Sequence, residues 1–83
     1  MYDCLITFRS ITRAQRGQEL LERIGISCGL HRTPSLLAQQ GCGYAVSLPS
    51  AQARTAREAL RQNEIQFQRV YLRESGVYRE LSL

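Results

Sequence analysis

Hydrophobic and polar positions alternate along the first stretch of the chain: Tyr2, Cys4, Ile6 and Phe8 fall on one side, and Asp3, Leu5 and Thr7 on the other. A period of two predicts a strand with one well-buried face, and on it Cys4 reads as a core residue. The period then changes. Ile11, Ala14, Gln18, Leu21 and Ile24 recur at helical spacing, with Leu20 widening the stripe, so a helix is expected from about Ile11 to Ile24. Ser10 can cap its start through the hydroxyl, and Gly25 is placed to take the left-handed conformation just past its end. Gly17 lies mid-helix, where glycine costs about 1 kcal/mol relative to alanine, and implies close approach to a strand beneath it.

A second strand is expected over residues 27–32, carrying Cys28 in a structural role; Gly29 fits an edge strand or a bulge. Thr33-Pro34 breaks it, because proline has no N–H to donate and restricts the residue before it. Leu36 and Leu37 suggest one helical turn inside a nine-residue crossing, Pro34 to Cys42, and long loops on small scaffolds tend to carry function. Residues 43–48 form the third strand, with Tyr44, Val46 and Leu48 on one face. Pro49-Ser50 starts a second helix with an alanine-rich stripe of Ala53, Ala56, Ala59 and Leu60, ended by Asn63 in a left-handed conformation. In the fourth strand Ile65, Phe67, Arg69 and Tyr71 alternate with Gln66, Gln68, Val70 and Leu72. Glu74-Ser75-Gly76 is a turn, after which residues 77–83 fold back as a fifth strand or pair with another subunit.

Ala14, Glu19, Leu21 and Ile26 match Ala53, Glu58, Leu60 and Ile65 at a constant offset of 39 residues, with Ser10 and Ser50 one step further out. Two strand–helix–strand units, each a right-handed crossover, combine most simply into an α+β, ferredoxin-like β-α-β-β-α-β sandwich. Its expected form is two helices on one face of a four-stranded antiparallel sheet in the order 4-1-3-2. The domain would span residues 1–73, leaving 74–83 as a tail or edge strand.

Composition narrows the function. An 83-residue chain is one domain with a modest core, which predicts marginal stability or a homodimer. No apolar run reaches the ~18–20 residues of a membrane span, and the N-terminus lacks a basic region followed by an apolar one, so a cytoplasmic location is expected. The net charge is +4, and all eleven basic residues are arginine. These are interleaved with glutamates rather than clustered, and Tyr71 and Tyr78 lie in no RNA-recognition motif; a solvated surface explains the arginines better than a nucleic-acid partner. Cys4, Cys28 and Cys42 show no zinc-ligand spacing, and free thiols without cofactor or metal are the expectation.

The chemistry concentrates in Gln39-Gln40-Gly41-Cys42-Gly43. Glycines on both sides allow a sharp turn and remove neighbouring side chains, which suits an accessible thiol with backbone N–H groups around it. Cys42 could equally fill a gap as a small hydrophobe. His31 and Arg32, at the exit of the second strand, could approach the loop and favour a thiolate by positive charge.

Thr33-Pro34, a short variable loop and Cys42-Gly43 leading into an apolar strand resemble the small bacterial Se/S carrier protein-like family. The likeness extends from Tyr2–Phe8, through Leu20-Leu21 and Gly25-Ile26, to Ala56-Arg57-Glu58-Ala59-Leu60, and leaves out the tail after about Arg73. This chain differs in having Gln39-Gln40-Gly41 before the cysteine where small serines are common. The resemblance implies that Cys42 carries a sulfur or selenium atom, with Gly43 as the other half of the motif.

Two readings follow, besides the weak nucleic-acid one. In the first, Cys42 accepts sulfane sulfur or selenium from a donor protein and passes it to an acceptor, supported by Gly41, Gly43, Arg32 and His31. In the second, the chain is a small dimeric regulatory or ligand-binding module without thiol chemistry. No base–nucleophile–orienter triad is legible, so a carrier or accessory protein is expected rather than an independent enzyme.

Overall fold

The alternation at the start of the chain becomes β1 (Cys4–Phe8), whose Cys4, Ile6 and Phe8 are fully buried. The computed structural model describes residues 2–38 and 43–82. β1 lies at the centre of a five-stranded sheet in the order β2-β3-β1-β4-β5, with β2 at Gly29–Arg32, β3 at Tyr44–Leu48, β4 at Val70–Glu74 and β5 at Val77–Glu80. Each neighbouring pair is antiparallel. Two helices, α1 (Ile11–Arg23) and α3 (Ala53–Gln62), flank a one-turn α2 (Ser35–Ala38). α1 contributes Ala14, Leu20 and Leu21, and α3 contributes Ala53, Ala56 and Leu60, to the core shared with Cys4, Ile6, Phe8, Val46, Leu48 and Val70. Both helices therefore cover the same sheet face.

The sheet has five strands rather than four. Ser75 and Gly76 both take positive φ, 51° and 79°, so the chain reverses in two residues and lays β5 along β4 outside the expected set. Paired backbone explains why the tail returns to its own sheet.

β4 corrects the expected alternation. Residues 65–69 are not part of the strand, which begins at Val70. Thr7 donates its backbone N–H to Arg69 O at 2.9 Å and accepts from Gln68 N at 2.7 Å, so two residues oppose one. The buried Thr7 Oγ1 accepts the displaced Arg69 N–H at 3.1 Å. This extra residue is a β-bulge, and it shifts the phase by one. Ile65, Phe67 and Val70 consequently face the core, while Tyr71 turns to the opposite face instead of joining Ile65 and Phe67.

The two helices end alike. Past α1, Ile26 N bonds Leu21 O at 2.8 Å and Gly25 N bonds Glu22 O at 3.1 Å; past α3, Ile65 N bonds Leu60 O at 2.9 Å and Glu64 N bonds Arg61 O at 3.1 Å. These paired bonds close each helix around one left-handed residue. In the second repeat it is Glu64, at φ 58°, and not Asn63, which stays at φ −100° while its side-chain amide donates to Ala59 O at 2.8 Å. Glutamate pays a steric cost there that Gly25 avoids at φ 92°. Glu64→Gly is expected to stabilise the fold by ~0.5–1 kcal/mol, read as a thermal midpoint several degrees higher. An unchanged midpoint would show that the exposed side chain compensates.

Helix starts differ. Ser10 Oγ accepts from Arg13 N at 3.2 Å, as expected of a cap. Ser50 instead opens a 3-10 turn (Ser50–Gln52) ahead of α3, and its cap comes from the residue just before β1: Asp3 accepts from Ser50 N and Ser50 Oγ–H, each at 2.8 Å. The backbone bond, then the hydroxyl bond, holds the Asp3 carboxyl below its ordinary range. A folded pKa below the unfolded one contributes stability that is present above the unfolded value and lost as pH falls through the folded value. Acid titration of unfolding should therefore show a carboxylate-linked loss in the native protein that Asp3→Ala lacks. Parallel pH profiles for the two proteins would refute this link.

Candidate functional site

The hairpin between β2 and β3 holds the segment in which the sequence places its chemistry. Pairing runs Gly29–Ser47, Leu30–Val46, His31–Ala45 and Arg32–Tyr44, and one further bond, Thr33 N to Gly43 O at 3.2 Å, closes the mouth. Leu37 N donates to Pro34 O at 2.9 Å as the chain enters α2, so the suggested helical turn forms. Cys42 and Gly41 lie outside the described residues.

The remaining candidate residues separate. Gly43 stands at the mouth, exposed, and its φ is not in the left-handed region. Among the described residues a Cβ there would meet only Arg9 O, at 3.7 Å, an ordinary contact. Neither its backbone conformation nor the described neighbours therefore require a glycine here. Arg32 places its guanidinium carbon 5.7 Å from the centre of the Tyr44 ring, a cation–π contact that anchors positive charge at the mouth. His31 points elsewhere: its Nε2 shares a hydrogen bond with Ser47 Oγ at 2.8 Å, two residues farther along β3 than its register partner Ala45. Gly29 makes room for this, since a Cβ there would come within 2.9 Å of His31 Nε2.

Thr33 was read from sequence only as a strand breaker. Among the described residues its Oγ1 is the one buried side-chain atom without a hydrogen-bond partner. A buried hydroxyl left without a partner forfeits about 1–3 kcal/mol. The Thr-Pro dipeptide in sequence carries no sign of this, because burial depends on the neighbouring strands.

The other two thiols are unsuited to nucleophilic work. Cys4 is fully buried, and desolvation, reinforced by the charge of Asp3, pushes its pKa up to about 11. Cys28 is buried at the α1–β2 junction, where its Sγ–H points to Gln18 O at 3.7 Å. Burial first, then the charge of Glu22, raises its pKa as well. Both are protonated at neutral pH, and thiolate is the reactive form. No cluster of metal-ligating side chains occurs among the described residues, and no helix in them is long and apolar enough to cross a membrane.

A family model described as Putative Se/S carrier protein-like matches residues 3–72. No curated protein and no solved structure matches the chain.

Proposed function

This chain belongs to the Se/S carrier protein-like family, and on that premise we propose that it carries a single sulfur or selenium atom on Cys42 between a donor and an acceptor protein. The family match is the observation that carries this reading, and its span includes Cys42 and Gly43. It is supported by the burial and raised pKa values of Cys4 and Cys28, which leave Cys42 as the thiol without an assigned structural role. The two strand–helix–strand units likewise support a ferredoxin-like reading of the α+β fold.

Loading requires no external oxidant. The Cys42 thiolate attacks the outer sulfur of a donor persulfide R–S–SH; the new S–S bond forms as the donor S–S bond breaks, giving Cys42–S–SH and R–S⁻. Unloading is the same exchange in reverse, with an acceptor thiolate attacking the outer sulfur and Cys42 leaving as thiolate. Selenium would follow the same path as Cys42–S–SeH. Arg32 and the Thr33 hydroxyl, with the backbone at Gly41 and Gly43, are the groups that would hold the anion; His31, engaged with Ser47, would contribute less.

The test is incubation of the native protein with sodium polysulfide, followed by peptide mass spectrometry. One cyanide-labile sulfur on Cys42, with none on Cys4 or Cys28, is expected, and Cys42→Ser should take up none. Sulfur distributed over all three cysteines, or an unmodified Cys42, would refute the carrier reading.

A further inference from the structure

The sheet face opposite α1 and α3 carries Leu5, Ser47 and Tyr71 in one cross-strand row, with Thr7 and Ala45 in the next. On this face lies a groove of about 340 Å³, near the lower end of the range for small-molecule sites. Leu5 and Ser47 line it, with His31 and Pro34 from the β2 side and Arg73 and Tyr78 from the β4–β5 hairpin. It is largely apolar, and the disposition of charge within it is uneven.

Each carboxylate, imidazole and guanidinium bordering the groove has a side-chain partner except one. Asp3 has both oxygens engaged by Ser50. His31 shares its hydrogen bond with Ser47, and Arg32 sits over Tyr44. The two carboxylates of the β4–β5 hairpin are taken by other arginines: Glu80 by Arg69 at 2.8 Å, and Glu74 by Arg79 at 3.1 Å. Arg73 is left without an ion pair among the described residues while bordering an apolar groove. A guanidinium fork matches a planar carboxylate in bidentate geometry, and its single charge balances a monoanion.

We propose that this groove binds a small carboxylate-bearing molecule with an apolar body, the carboxylate on Arg73 and the body against Leu5, Pro34 and Tyr78. Arg73 and Tyr78 lie beyond residues 3–72, so the site is built in part from β4–β5 chain that the family match leaves out. It does not depend on the thiol reading.

Benzoate and its uncharged isostere benzamide are the probes, titrated into the uniformly labelled full chain and followed by amide NMR shifts. Benzoate should move Leu5, Ser47, Arg73 and Tyr78 saturably, with benzamide at least about tenfold weaker, equivalent to ~1.4 kcal/mol. Arg73→Gln should remove that preference, and Arg73→Lys should restore only part of it, because a point charge lacks the fork. Tyr78→Ala should weaken both probes. Equal binding of benzoate and benzamide, an unaltered preference in Arg73→Gln, scattered shifts, or equal displacement of benzoate by inorganic phosphate would each overturn the proposal.

Discussion

Replacing Phe8 with alanine is expected to cost about 3–5 kcal/mol, the range for deleting a fully buried aromatic side chain. Phe8 is the largest of the fully buried residues and ends the central strand, where its ring meets α1 at Gly17. Its removal opens a cavity between sheet and helix that neither can fill without moving its backbone. At ~0.05–0.15 kcal/mol per residue, a chain of 83 residues has about 4–12 kcal/mol of total stability. The loss is therefore a large share of the whole. Urea denaturation should show the midpoint falling by more than about 1 M, given slopes of ~1–3 kcal/mol/M. Phe8→Leu, which retains much of the volume, should cost less than about 1.5 kcal/mol by the same measure. An alanine variant that lost no more than the leucine one would mean that the ring is not what joins α1 to β1.

The second large effect is expected at Gly17, from the opposite kind of change. A Cβ at this position would lie 2.9 Å from Phe8 Cζ, 3.3 Å from Phe8 Cε2 and 3.4 Å from Leu60 Cδ2. Alanine would gain about 1 kcal/mol of helix propensity, against an overpacking cost of ~1–3 kcal/mol. Valine adds two further methyl groups to the same crowded point and gains less propensity, so Gly17→Val should destabilise by about 2–3 kcal/mol. Because the obstacle is the Phe8 ring, the two sites must be coupled. Gly17→Val combined with Phe8→Leu should be less destabilised than the sum of the single changes, by ~0.5–3 kcal/mol in a double-mutant cycle. Strict additivity would place the valine cost elsewhere, in the helix itself.

This contact also marks how far sequence reasoning reached. A glycine in the middle of α1 announced a close approach without naming the partner, and the structure supplies Phe8 and Leu60. The 39-residue offset anticipated two equivalent units, down to the equivalent residues Ile26 and Ile65 that close the two helices. Where the copies differ, local spacing misled: Asn63 has the residue type for a left-handed conformation, but its amide is occupied by Ala59 O, and Glu64 takes the strained position. At the candidate site, the hairpin and its one-turn helix were legible from Thr33-Pro34 and the leucine pair. The Thr33 hydroxyl, without a partner among the described residues, and the turn of His31 toward Ser47 were not, since each depends on what the adjoining strand presents.

Periodicity and turn chemistry in the sequence determined by themselves that this chain makes two strand–helix–strand units with a cysteine between glycines in the connecting loop. They could do so because alternation, helical spacing and proline or glycine punctuation act within a few residues. The tertiary structure alone decided the phase of β4 and the contents of the groove. Gln68 and Arg69 can share one partner only because Thr7, 62 positions away, supplies both backbone and hydroxyl to receive them. That bulge shifts Val70 into the core and Tyr71 to the opposite face. Arg73 continues on the same side as Tyr71, facing the groove while Glu74 and Glu80 are occupied by other arginines. Register and ion pairing of this kind are settled between distant segments, where no local spacing can encode them.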